Sequence, residues 1–476
     1  MPHPETDRPT PEPPVLLVLH GARGDLARRL VLPAVAELAA AGLLPGRWTV
    51  LGTGRRDASD DDFAELARDA LTEFGPEDVD GGVFDGHLHY ARSFTEDDPG
   101  ELVDAIARET DALRDGGAEP TVVHYLAVPP SAFGPTTRGL RTHDLTDGIR
   151  VVYEKPYGTS SESFEELDAL VHEVLDEDQV FRIDHFLGKE ATQNLHVLRS
   201  GNELFSGVWN ARHVAEVQID LPETLDVADR ADFYDATGAA LDMLVTHLFQ
   251  VAAEVAMEPP ARFDAAHLAE ARERVIGCFR PLDPVEDVVL GQFEGYRDID
   301  GVADDSSTDT FVAARLWVDN DRWRGVPFLL RTGKRMARSA QQVTLVLRTP
   351  EQLFGEPNGP GRIVLSLAGD GAIEVTTTVK RPGPELRLGT GTASLALEDV
   401  DGGRPVSAYG SLLHDVLVGD RSLFTTPEGL RAAWRAFAPL QGPDRPAPEP
   451  YRPGSWGPAA ADRLTGPDGW VLGDQD

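Results

Sequence analysis

The stretch Arg182-Ile183-Asp184-His185-Phe186-Leu187-Gly188-Lys189-Glu190 sets a carboxylate, an imidazole and an ammonium within six residues, beside a glycine able to hold an unusual backbone angle. Such a group can move a proton and hold an anion; the plainer reading of the Asp-His pair is a helix-capping aspartate next to a surface histidine. A lysine here carries information, because the 476-residue chain has only four: Lys155, Lys189, Lys334 and Lys380. Its formal net charge is -36. That field repels anions at long range, so a phosphate or carboxylate site must gather its positive charge locally.

The same acidity argues against nucleic-acid and anionic-membrane partners. The single cysteine, Cys278, excludes an internal disulfide framework and a cysteine-rich metal site, and fits a reducing cytoplasm. Residues 1–14 read as a flexible, Pro-rich acidic tail without the apolar core of a signal peptide. No run of about 18 apolar residues is evident, so no membrane span is expected. Excess acid with scarce lysine is compatible with adaptation to a salt-rich cytoplasm or with a GC-rich genome.

The elements that must position the reactive residues begin at Val15-Leu16-Leu17-Val18-Leu19, an apolar run of strand length suited to burial on both faces of a parallel sheet. A glycine turn, Gly21-Ala22-Arg23-Gly24-Asp25, opens into a helical pattern from Leu26, which Pro33 is expected to kink. The next strand, Trp48 to Leu51, ends at Gly52-Thr53-Gly54-Arg55-Arg56. Strand, glycine turn, helix and strand open a dinucleotide-binding unit, in which turn amides and the helix start hold the pyrophosphate. An acidic residue at the end of the second strand suits a free ribose 2′-hydroxyl, and an arginine suits a 2′-phosphate. Arg55 fills that place, so NADP is favoured over NAD. Two further strands of the alternating pattern end at Val128-Pro129-Pro130 and at Glu154-Lys155-Pro156, which points Lys155 toward the cofactor crevice.

Beyond the short helix from Thr192 to Leu198 the pattern changes to period two, at Ala215–Leu221, Phe311–Val318, Val343–Leu347, Arg362–Leu367 and Ala372–Val379. A long apolar helix with Leu241, Leu244, Leu248 and Val255 on one stripe interrupts these strands. The expected fold is therefore an α/β Rossmann-type dinucleotide-binding domain, residues 15–184, followed by an α+β domain, residues 185–441, with a large, mainly antiparallel sheet. Residues 442–476, rich in Pro, Gly and Asp, are expected to be a poorly anchored tail.

Taken in order, the motifs resemble the glucose-6-phosphate dehydrogenase family. The matching stretches are Gly21–Ala27, Tyr125–Pro130, Glu154–Gly158, Arg182–Glu190 with Gln193-Asn194-Leu195, Phe233-Tyr234-Asp235, Gly238-Ala239, Asp242-Met243, His247, Asn320, Arg322-Trp323, Gly325–Phe328 and Arg331-Thr332-Gly333-Lys334. The resemblance implies oxidation of C1 of β-D-glucose 6-phosphate with hydride transfer to NADP, in a cytoplasmic homodimer or homotetramer. It implies His247 as the base and Asp184 as its orienting carboxylate. It further implies His185, Lys189 and Lys334 around the sugar phosphate, Glu223 and Asp242 on sugar hydroxyls, and Lys155 between cofactor and substrate. Gly21, Arg23, Gly24, Asp25, Leu26, Arg55 and Pro129 fall on the cofactor-binding positions. No metal is implied. On a regular helix Asp242 and His247 point about 140° apart, so spacing alone does not pair them.

Four positions depart from the family pattern. Phe186 stands for a tyrosine, Ser339 for a second cation near the phosphate, Arg23 for a small hydroxyl residue, and Thr246 for an asparagine. Arg335 or Arg338 could restore the missing cation; Arg338 is counted with the substrate-binding residues. Two other readings are a dehydrogenase of the glucose-fructose oxidoreductase and inositol dehydrogenase type, and a non-catalytic paralogue that binds a metabolite.

Overall fold

The computed structural model describes residues 13–114, 117–227, 230–349, 359–368, 371–400 and 405–473. Most of the Pro-rich N-terminal segment, residues 1–12, lies outside the described residues. Six parallel strands form the first sheet: β1 (Val15–His20), β2 (Trp48–Gly54), β3 (Leu88–Arg92), β4 (Thr121–Leu126), β5 (Arg150–Tyr153) and β6 (Val180–Arg182). Their order is β3-β2-β1-β4-β5-β6. Every residue of β1 is buried, as a strand covered by helices on both faces must be. The order reverses between β1 and β4, and that switch opens a crevice at the carboxyl ends of the strands. Gly21 lies on one side of it and Pro129 on the other. After the glycine turn the helix is π-wound over Ala27–Val31 and becomes α-helical over Leu32–Ala40. Pro33 therefore lies just past the change of winding, inside the first α turn, where a missing amide donor costs little.

The second sheet has nine strands: β7 (Val214–Pro222), β8 (Val288–Phe293), β9 (Phe311–Trp317), β10 (Pro327–Gly333), β11 (Gln342–Leu347), β12 (Arg362–Ser366), β13 (Ile373–Lys380), β14 (Leu388–Leu395) and β15 (Glu449–Tyr451). Their order is β14-β13-β12-β11-β7-β10-β9-β8-β15, antiparallel except for the β7–β10 and β8–β15 pairs. The expected period-two strands are all present within a residue or two. Although no continuous run of about 18 apolar residues is evident, the helix Phe233–Ala256 is long and apolar enough to cross a membrane by length and mean composition. Its most apolar stretch is 83% buried within the protein, which makes it a core helix.

Two segments depart from a simple succession of units. The helix Ala408–Val418 returns to the first sheet, and its Leu412, Leu413, Val416 and Leu417 share one apolar core with Leu17, Leu19 and Val35. The C-terminal segment, expected to be poorly anchored, is tied to the second sheet. Strand β15 pairs with β8. Val471 N–H donates to Gln218 Oε1 at 2.8 Å, and Arg331 Nη2 donates to the Leu472 carbonyl at 2.5 Å. The Arg331 guanidinium lies 4.2 Å from the centre of the Trp470 ring. Proline and glycine forbid long regular elements here, but a few buried anchors such as Tyr451 and Leu472 suffice to fix the path.

Candidate active site

Strand β6 delivers Asp184 and His185, and the helix from Glu190 to Gly201 starts just after Lys189. His247 comes from the buried helix, which begins at a sharp break. Gly238 has φ +71°, and a Cβ there would lie 2.6 Å from Asp309 Oδ1. Asp309 Oδ2 then accepts from Ala240 N–H at 2.6 Å, fixing the start of the next segment. From Ala240 to Leu248 that segment is π-wound. Thr246 Oγ1 donates to the Asp242 carbonyl at 2.5 Å, within this turn.

His247 Nδ1 lies 2.7 Å from Asp184 Oδ1, and both residues are buried. Asp184 Oδ1 also accepts from Phe186 N–H at 3.0 Å. With Nδ1 facing a carboxylate, the ring carries its proton there, and Nε2 is the basic atom. Among the described residues Nε2 has no hydrogen-bond partner. Burial holds the imidazole well below its usual pKa, with the Lys155 charge acting the same way. Burial pushes Asp184 up to about 6, opposed chiefly by His185. The site thus presents a neutral base on a carboxylate that is ionised at neutral pH. The His185 ring is centred 4.7 Å from that of His247, and its pKa is depressed by burial and by His247. One donor atom each from Asp184, His185 and His247 lie within 4.8 Å of one another, a grouping that could also accept a metal ion.

Lys155, at the end of β5 before a cis proline, donates to Asp242 Oδ1 at 3.1 Å. The β7–β10 register aligns Pro222 with Gly333, which sets the following residues, Glu223 and Lys334, side by side as an ion pair. Lys189 bonds instead to Gln341 and to the Leu367 carbonyl. Of the arginines expected to restore a cation, Arg335 pairs with Asp226, and Arg338 is exposed. The Ser339 hydroxyl is engaged with Thr224, accepting from its N–H at 2.9 Å. Gln341 and the buried Tyr125–Glu154 hydrogen bond, 2.5 Å long, were not legible as site features. Only Glu154 had a sequence signal, its place in the Glu-Lys-Pro motif.

At the crevice, Gly21 has φ +74°, and a Cβ there would lie 2.3 Å from the Ala127 carbonyl oxygen. Gly24 N–H donates to the Gly21 carbonyl at 2.8 Å, closing the turn. Only glycine fits at position 21, and the close backbone approach makes a cradle suited to a pyrophosphate. Asp25 and Leu26 lead from the turn into the helix. Arg55 and Arg56 are exposed at the end of β2, and Tyr90 O–H donates to the Arg56 carbonyl at 2.9 Å. Arg23 is exposed on the glycine turn. Among the described residues none of these three arginines has a carboxylate within ion-pair distance. The corner fits the 2′-phosphate of NADP.

Two family models match the chain, one described as the glucose-6-phosphate dehydrogenase NAD binding domain over residues 18–194, the other as that family's C-terminal domain over residues 196–471. The chain belongs to the glucose-6-phosphate dehydrogenase family. It is 36% identical over 466 residues to glucose-6-phosphate 1-dehydrogenase 1 of Mycobacterium tuberculosis, covering 96% of each chain. It is 33% identical over 480 residues to glucose-6-phosphate 1-dehydrogenase of Aggregatibacter actinomycetemcomitans, again covering 96% of each. The crystal structure of glucose-6-phosphate 1-dehydrogenase from Mycobacterium avium superposes with a TM-score of 0.82 at 34% identity, over 95% of this chain and 97% of that one. A glucose-6-phosphate dehydrogenase in complex with its substrate gives 0.89 at 28% identity, over 98% and 99%. As a member of the glucose-6-phosphate dehydrogenase family the chain is an oxidoreductase.

Proposed function

We propose that this protein oxidises β-D-glucose 6-phosphate at C1 to 6-phospho-D-glucono-1,5-lactone with NADP, as the first step of the oxidative pentose phosphate pathway. The observation that carries the reading is the buried Asp184–His247 pair, whose Nε2 has no hydrogen-bond partner among the described residues. NADP, when bound, supplies the acceptor for the hydride leaving C1, and the Gly21 turn with Arg23 and Arg55 is the place to hold it.

The chain's own task is the proton. C1 gives up hydride readily only as its hydroxyl oxygen gains negative character, so a base must take the O–H proton. His247 Nε2 takes it, and Asp184 holds Nδ1–H and stabilises the imidazolium, the logic of carboxylate–imidazole pairs elsewhere. Glu223 and Asp242 accept from sugar hydroxyls, with Lys155 and Lys334 holding those carboxylates in place. His185 and Lys189 take the phosphate. Arg338, exposed nearby in sequence, is assigned to the mouth of that pocket. A cytoplasmic homodimer or homotetramer remains the expected assembly.

The reading is tested by following absorbance at 340 nm with NADP and glucose 6-phosphate. Preference for unphosphorylated glucose or inositol would replace it with the oxidoreductase of the other type, and binding without turnover would replace it with a metabolite-binding paralogue.

A further inference from the structure

The three motif lysines are not equivalent. Lys155 faces the Asp242 carboxylate and Lys334 pairs with Glu223. Lys189 has no carboxylate within ion-pair distance among the described residues. Its ammonium donates to Gln341 Oε1 and, at 3.3 Å, to the Leu367 carbonyl, and it lies 4.7 Å from the centre of the Phe186 ring. Neutral acceptors and a ring face orient a cation without cancelling its charge, so the field of Lys189 stays available to an anion.

The tether is built by strand pairing. Gln342 pairs with Ser366 across β11 and β12, and Leu367 N–H donates to the Gln341 carbonyl at 2.7 Å, so Gln341 and Leu367 arrive together at the end of the ladder. An ammonium can only donate, so the amide oxygen of Gln341 must face Lys189, leaving the amide nitrogen with two donor hydrogens. That nitrogen has no partner among the described residues. The ammonium it holds lies against the Phe186 ring, where the family's tyrosine hydroxyl is missing.

Resting on the reading that glucose 6-phosphate is the substrate, we infer that Gln341 is a specificity-determining residue for the phosphate. Its amide oxygen fixes Lys189, and its amide nitrogen donates to a phosphate oxygen. One residue thereby stands in for part of what the missing tyrosine hydroxyl and the missing cation would supply.

The experiment measures steady-state constants of the full-length protein and its variants Gln341→Leu and Gln341→Glu, with inorganic phosphate as competitor. Charge-assisted hydrogen bonds are strong enough that Gln341→Leu is expected to raise KM for glucose 6-phosphate and Ki for phosphate by about tenfold or more. Gln341→Glu, which sets a carboxylate against Lys189, is expected to raise both further. In both variants kcat and KM for NADP stay within about twofold of the parent, which separates phosphate recognition from general damage. Unchanged KM and Ki in both variants overturn the inference, as does a parallel loss in kcat and in KM for NADP. Absence of glucose 6-phosphate oxidation by the parent protein overturns the substrate reading itself, a result visible before any variant is made.

Discussion

Asp242 and His247 stand five residues apart on one helix and act on each other's charge, each favouring the ionised form of the other. In an α-helix they would diverge by about 140°. The π winding of Ala240–Leu248 bonds each residue to the one five further on, which narrows that divergence and brings the pair toward one face. The winding is therefore what lets the proposed base and a proposed sugar-binding carboxylate serve one cavity.

The base is separable from substrate binding. His247→Asn keeps a similar size and one hydrogen bond but takes no proton near neutral pH, and loss of a general base costs about two to four orders of magnitude. Expected is a collapse of kcat with little change in KM for the sugar phosphate. A fall in kcat smaller than about tenfold would reassign the base.

The pH profile follows from two shifted groups. Burial raises Asp184 to about 6, so the carboxylate that orients His247 is ionised above that pH and lost below it. Burial also lowers Lys189 to about 8, so its charge is present below that pH and fades above it. Activity is expected to fall as pH drops through about 6, and KM for glucose 6-phosphate to climb as pH rises through about 8. Profiles of kcat/KM and KM that stay flat across both values would refute the assignments.

Coenzyme choice tests the arginine corner. Arg55→Ala removes a charge-assisted contact of roughly 1.5–3 kcal/mol, so NADP should bind one to two decades more weakly while NAD is nearly unaffected. Equal losses for both coenzymes, measured by fluorescence titration, would give Arg55 a structural role.

A hydroxyl returned to position 186 bears on the phosphate. Phe186 is buried between Lys189 and His247, its ring centre 4.7 Å from the Lys189 nitrogen and 4.8 Å from the His247 ring. Phe186→Tyr is expected to lower KM for glucose 6-phosphate and Arg338→Ala to raise it. Should both leave KM where it was, the phosphate lies elsewhere.

Stability depends on a buried ion pair that the C-terminal segment covers. Arg331 Nε donates to Asp220 Oδ1 at 2.6 Å, and both side chains are fully buried. Breaking such a pair from one side typically costs about 3–5 kcal/mol, whereas replacing both partners by apolar groups costs far less. Arg331→Met should therefore be strongly destabilising in chemical denaturation, and Asp220→Leu added to it should recover much of the loss. If the double variant proves the less stable, the pair is stabilising in its own right.

The sequence was most legible where function is local. Continuous apolar runs marked β1 and β4, period-two alternation marked the strands of the second sheet, and the motif from Arg182 to Glu190 marked the dyad's carboxylate. What escaped was long-range or depended on winding. The tether of Lys189 joins residues 152 positions apart through strand register, and no local pattern encodes that. The π turn has no composition signature, so Asp242 and His247 were paired by family likeness and not by spacing. The anchoring of the C-terminal segment is invisible to composition, which reports how many residues disfavour regular structure, not whether a few aromatic ones find a cradle.

The helix Ala408–Val418 supplies one wall of the apolar core beneath the first sheet, although that sheet's last strand ends at Arg182. During synthesis the cofactor-binding half thus leaves the ribosome long before this wall exists. At ~5–20 residues per second the gap lasts on the order of 10–50 s. Until then the apolar surface later covered by Leu412, Leu413, Val416 and Leu417 faces water, so the nascent chain depends on chaperone shelter or on slow collapse. Completion of the core behind the nucleotide-binding sheet is accordingly a late event that waits for a segment more than 200 residues downstream of β6.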